Sequence, residues 1–204
     1  RVRQPIILIA ITFFAGMLAT VLVLPLEKFI AGTQENPLML TILWAACEEI
    51  LKYLAFAAIM SGNPTLDQPV EYPIYLITAG LGFAALENTL FLMHPLQGGN
   101  TTLSLLTGNL RFLGSTLLHA AASGIIGISI GLAYFKSGGT RALFATIGIF
   151  AAIALHSTFN FFIMEKSGEN FLQVFGFLWV ITIIIMLLFE KLRRMGKYVA
   201  EPAA

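Results

Sequence analysis

The sequence predicts an all-α fold: a polytopic membrane bundle of about six transmembrane helices, with its chemistry among the second to fifth. Three observations lead there. Of the 204 residues, 57% are hydrophobic and only 11% charged, against roughly 25% charged in an ordinary soluble domain. Six apolar stretches reach the ~20 residues that a membrane-spanning helix needs. Four of them nevertheless carry ionisable side chains far from their ends, where a charge costs about 2.5–3.5 kcal/mol on insertion scales. Groups that expensive point to function.

The spans run near Ile6–Leu26, Pro37–Met60, Pro73–Met93, Leu110–Phe135, Ala142–Met164 and Phe171–Phe189. Helix breakers separate them: Gly32 through Pro37, Ser61-Gly62-Asn63-Pro64, Pro95 with Gly98-Gly99-Asn100, Ser137-Gly138-Gly139, and Ser167-Gly168. No connection is long enough for a soluble domain, and neither an internal repeat nor a low-complexity tract is present, so residues 1–204 read as one integral membrane domain. The first residue is Arg1 rather than Met, which is compatible with upstream residues, including a further helix, having been trimmed. The first stretch lacks a small-residue cleavage site and reads as a span rather than a cleavable signal. Cys47 has no partner for an internal disulfide and reads as a small packing residue. Gly80 and Gly82, with Gly124, Gly127 and Gly131, offer small surfaces where helix backbones can approach.

Orientation follows from Lys and Arg near the span ends. Arg1 and Arg3 precede the first helix, Lys136 and Arg141 flank the fourth-to-fifth connection, and Lys191, Arg193, Arg194 and Lys197 follow the last. With six helices all three places fall on one side, which puts both termini in the cytoplasm. Lys28, Arg111 and Lys166 lie opposite, where Glu27, Glu35, Glu165 and Glu169 also sit, and the second-to-third connection has Asp67 and Glu71 but no basic residue. Asn100-Thr101-Thr102 is a formal glycosylation acceptor on the outer side, a match common by chance. A net charge of +1 gives no reason to expect a nucleic-acid partner.

The second helix holds Glu48, Glu49 and Lys52. Glu48 and Lys52 share a face at i, i+4, and Glu49 reaches Lys52 at i, i+3, so two carboxylates and one ammonium form a compact group. The third helix contains Glu87 and Asn88, the fourth His119, and the fifth His156 with Asn160 one turn on. At 1.5 Å per residue, Glu48 lies roughly 16 Å, His119 roughly 13 Å, and Glu87 and His156 roughly 9 Å below the outer face of a ~30 Å core. Four helices can therefore present these groups at one level in the outer half of the membrane, facing a bundle interior or a wet cavity. Arg111 and His94 read as interfacial anchors.

Glu-Glu-x-x-Lys at Glu48–Lys52, Gly-Phe-x-x-x-Glu-Asn at Gly82–Asn88, His119, and His-x-x-x-Asn at His156–Asn160 resemble the motifs of the PrsW family of intramembrane proteases. That family is related to the CAAX-prenyl endopeptidases and bacteriocin-processing proteins, and more distantly to the scaffold subunit of gamma-secretase. Lys52 and Glu87 both depart from the CAAX endopeptidases, which have an Arg one position after Lys52 and a His in place of Glu87. The resemblance implies a peptide hydrolase in a bacterial or archaeal plasma membrane. Its substrate would be membrane-anchored, such as an anti-sigma factor.

Peptide hydrolysis needs an activated water, oxyanion stabilisation and a proton donor for the leaving amine. In a metal-free version Glu48 takes a proton from water held with His119, Glu49 and Lys52 tune it, and His156 and Asn160 face the oxyanion. In a zinc version His119, His156 and Glu87 form a His₂Glu ligand set and Glu48 remains the base. A proton or ion transporter and a non-catalytic membrane scaffold are the alternatives, since intramembrane Glu and His also build relays.

Overall fold

The computed structural model describes residues 4–97, 101–165 and 171–200, with the side chains of 94–97, 101–111, 163–165, 171 and 197–200 outside that description. Arg1, Arg3, His94, Asn100, Thr101, Thr102, Arg111, Glu165, Lys166, Glu169 and Lys197, used above for topology, anchoring and glycosylation, therefore lie outside the described residues or side chains. Among the described residues the chain is six helices and no strand: α1 Ile6–Thr33, α2 Pro37–Met60, α3 Glu71–Gln97, α4 Thr101–Leu132, α5 Gly138–Glu165 and α6 Phe171–Ala200.

Five of these helices are long and apolar enough to cross a membrane. The exception is α2, whose centre carries Glu48, Glu49 and Lys52. Its start is set locally, because Asn36 accepts from the Met39 amide and Pro37 occupies the first turn, where its missing N–H costs nothing. The charges of α2 are solvated by protein rather than lipid, since the bundle buries all three.

Five helices bring their side chains together around the site. α4 is largely buried against α3 and α5, α2 closes the ring, and α1 covers α2 and α3. α6 is peripheral, packing Leu178, Ile185 and Leu192 onto the core while Trp179, Ile183, Met186 and Leu187 face outward. One apolar cluster, with Phe56, Met60, Tyr75, Leu76, Ile126 and Ala152, packs α2 to α5 together, and Ala19, Val23 and Phe83 pack α1 onto α3.

α1 and α3 run in the same direction. Gln4 donates to Glu71 and accepts from the Tyr75 hydroxyl at their starts. Further along the backbones touch: a β-carbon at Gly16 would collide with the Ala79 carbonyl, and one at Gly82 with the Phe13 carbonyl. Gly80 lies against Ser123 and the His119 carbonyl of α4, and Gly127 against the Pro73 backbone of α3, which is how small residues let membrane helices pack by van der Waals contact. α1 continues beyond the expected end at Leu26 to Thr33, and that extension carries Glu27 inward.

Candidate active site

The site is built outward from α2. Lys52 Nζ donates to Glu49 Oε1 at 2.5 Å, one turn apart and both fully buried. The same ammonium lies 2.8 Å from Nδ1 of His119 on α4, and 4.9 Å from the centre of the Phe83 ring. An ammonium can only donate, so Nδ1 of His119 must present its lone pair to it. His119 Nε2 is then the N–H, and it donates to Glu87 Oε2 on α3 at 3.0 Å. Ser115, one turn before His119, donates to that same Glu87 oxygen at 3.1 Å.

His156 on α5 is held in the mirror-image way. Its Nδ1 lies 2.6 Å from Glu49 Oε1. A carboxylate accepts, so Nδ1 carries the proton and Nε2 is the lone-pair nitrogen. Each histidine thus has a carboxylate behind it that fixes its tautomer and ring plane. The two rings meet edge to face, with centroids 5.1 Å apart.

Glu48 lies between them. Its Oε2 is 3.9 Å from His119 Nδ1 and 3.8 Å from His156 Nε2. That oxygen is buried and has no hydrogen-bond partner among the described residues. An unpaired buried carboxylate oxygen is costly, so the arrangement fits a cation better than an empty space. Among the described residues, Glu48, His119 and His156 form the group of potential metal ligands, with all three ligand atoms within 4.8 Å of one another. Ligand atoms 2.0–2.2 Å from a tetrahedral zinc lie roughly 3.3–3.6 Å apart, so Glu48 would close on each histidine by a few tenths of an ångström, and the three ligand atoms, now within 4.8 Å of one another, would draw together around the ion. Lys52 is the one competitor, because its ammonium already engages the His119 lone pair.

A model of the PrsW family intramembrane metalloprotease matches residues 4–189. The chain belongs to that family. It is accordingly an integral membrane protein of an intramembrane protease family, and the matched span takes in α1 to α5 and α6 as far as Phe189. No curated protein and no solved structure matches it.

Of the residues expected to carry PrsW chemistry here, Glu48, Glu49, Lys52, Glu87, His119 and His156 are brought together. Asn160, one turn beyond His156, is half-buried, and among the described residues no hydrogen bond joins it to the cluster. Asn88 donates to Thr116 at 3.1 Å and ties α3 to α4 outside the cluster. The histidines take Glu48 between them, whereas the zinc alternative offered from the sequence took Glu87 as their third ligand. The reason is which edge of His119 each carboxylate meets: Glu87 lies against the Nε2 edge, away from the Nδ1 edge that faces Glu48.

Two polar groups at the site were not anticipated. Glu27, on the extension of α1, lines the same cavity as Glu87 and lies near Glu48. Its backbone carbonyl accepts from the Trp44 indole at 3.1 Å, which fixes that turn against α2. Ser115 is the other. An acidic residue just past an assumed span end was the available signal for Glu27, and a hydroxyl one turn before an intramembrane His was the signal for Ser115.

Proposed function

We propose that this PrsW-family chain hydrolyses a peptide bond of a membrane-anchored protein, such as an anti-sigma factor, with Glu48, His119 and His156 holding a zinc ion. The observation that carries this reading is the unpartnered Oε2 of Glu48, 3.9 and 3.8 Å from nitrogens of two histidines. A bound ion would supply Lewis-acid polarisation of the scissile carbonyl and would acidify a water.

The chain's own groups prepare that chemistry. Glu49 keeps the proton of His156 on Nδ1, so Nε2 faces inward. Glu87, assisted by Ser115, does the same for His119 from its Nε2 edge. Lys52 offsets the charge of the clustered carboxylates, and for His119 to serve as a ligand it gives up Nδ1 while keeping Glu49. Glu27, the half-buried carboxyl near Glu48, would accept the proton of the attacking water and return it to the leaving amine.

One observation favours a second, metal-free reading. The Lys52 ammonium already fills the His119 lone pair at 2.8 Å, as an internal cation would. Glu48 Oε2 is then the base, and Lys52 with Asn160 supplies donors for the oxyanion.

The positive charges at the span ends support cytoplasmic termini and a site in the outer half of the membrane. A spanning substrate must unwind locally before its carbonyl can be attacked, because helical carbonyls are already paired. Co-expression of a tagged candidate substrate with wild type and Glu48→Gln tests the proposal. The fragment should form with wild type and vanish with the variant. Undiminished cleavage by Glu48→Gln would remove the residue common to both readings.

A further inference from the structure

The contact between α1 and α3 is uneven along its length. Around Gly16 and Gly82 the two backbones touch and leave no space for a side chain. Further toward the C-terminal ends of both helices lies a cavity of about 420 Å³, with Val23, Leu24, Leu90 and Phe91 among its walls and Glu27 and Glu87 also lining it. Leu24, Leu90 and Phe91 are exposed on the outer surface of the bundle, the surface an integral membrane protein turns to lipid.

This cavity is where the reactive cluster can be reached. The side chains of Glu49 and Lys52 are 0% exposed and that of His156 2%, whereas Glu87 reaches 21%. Two further cavities, one bordered by Ile77, Thr182, Ile185 and Met186 and one by Leu187, Lys191 and Met195, touch none of the clustered residues. Exposure therefore rises from α2 and α5 toward the seam between α1 and α3.

We propose that the seam between α1 and α3 admits the substrate sideways from the lipid, and that it takes an extended, apolar stretch of a membrane segment rather than an intact helix. The proposal rests on the proteolytic reading above and deepens it. A helix is ~10–12 Å across with its side chains, too wide for a cavity at the small end of the ~300–1,000 Å³ range of ligand pockets. An extended stretch fits, and it brings the unpaired N–H groups that unwinding exposes. The Glu27 carboxyl that lines the cavity would accept such N–H groups, and the neighbouring Glu27 and Glu87 carboxyls would exclude acidic side chains next to the scissile bond.

The test uses an epitope-tagged single-span reporter whose ~20-residue Leu/Ala segment is interrupted by Gly-Pro. A photo-crosslinking benzoylphenylalanine is placed at Leu90, or at Ile183 on the outer face of α6, in full-length Glu48→Gln protein. In parallel, cleavage of the reporter is measured for Leu24→Trp, Leu90→Trp and Ile183→Trp. The proposal expects at least tenfold more capture from position 90 than from 183. It also expects at least a tenfold loss of cleavage in the two seam variants, with Ile183→Trp within twofold of wild type. Equal capture at both positions, or wild-type cleavage by both seam variants, overturns it. If wild type leaves the reporter uncut while capture at 90 persists, proteolysis fails as a reading and the seam stands as a binding site. Absence of capture at 90 overturns the seam whether or not the reporter is cut.

Discussion

The two sides of the reactive cluster differ in how they are held. On the α2–α5 side, Glu49, Lys52 and His156 are sealed from solvent and joined by short bonds that converge on one carboxylate oxygen, Glu49 Oε1. On the α1–α3 side, Glu27 and Glu87 are part-exposed, border a cavity, and reach the cluster through Glu48 and His119. A closed wall fixes geometry and the open wall is the proposed entry for substrate, so substitutions on the two sides should fail in different ways. Loss of a buried partner should cost folding and activity together, whereas loss on the open wall should cost activity alone.

The largest effect is expected at Glu48, the residue between the two walls. Glu48→Gln should lower cleavage by about 10³-fold or more while leaving the amount of folded protein unchanged, measured by reporter cleavage and thermal melting in detergent. Next is Glu49→Gln on the sealed wall. It removes the charge that balances a fully buried ammonium, which costs about 3–5 kcal/mol of stability, so the melting temperature should fall together with activity. If Glu49→Gln lost activity with an unchanged melting temperature, the contrast between the walls would break.

On the open wall, Glu87→Gln should weaken metal affinity or activity by about 10–100-fold without a comparable loss of stability, because it loosens the brace on His119. Ser115→Ala should do the same more weakly, as Ser115 contributes one bond to Glu87. The smallest effect is expected at Asn160. With a metal supplying electrophilic assistance, Asn160→Ala should stay within about threefold of wild type, whereas loss of a true oxyanion donor costs about 10²–10³-fold. Cleavage rates of that single variant therefore sharpen the choice between the two readings.

Much of this organisation was legible in the sequence because membrane helices are long, apolar and bounded by breakers. The α2 limits fell where Asn36 and Pro37 begin the helix and Ser61 ends it. The motif-bearing residues of α2 to α5 could be placed at similar depth from a rise of 1.5 Å per residue. Glu27 escaped because α1 continues past Leu26, and an apolar count cannot tell a helix end from the point where a helix leaves hydrocarbon. That Glu48 lies between the histidines was not legible for a different reason. Spacing along one helix says which residues share its face, but which nitrogen of His119 meets which carboxylate depends on how three helices are rotated against one another. The closeness of α1 to α3 was half visible: Gly82 was a candidate packing site, while its counterpart Gly16 showed itself only against the Ala79 carbonyl.

The assignment of Glu48, His119 and His156 as metal ligands is tested most directly by counting bound metal in purified, chelator-washed protein before and after Zn²⁺ is added back, with cleavage measured on the same samples. The expected result is one zinc per wild-type chain after add-back, return of cleavage in proportion to it, and loss of both in His156→Ala. Full cleavage by wild-type protein that holds no metal would contradict it and leave Lys52 as the cation of the site.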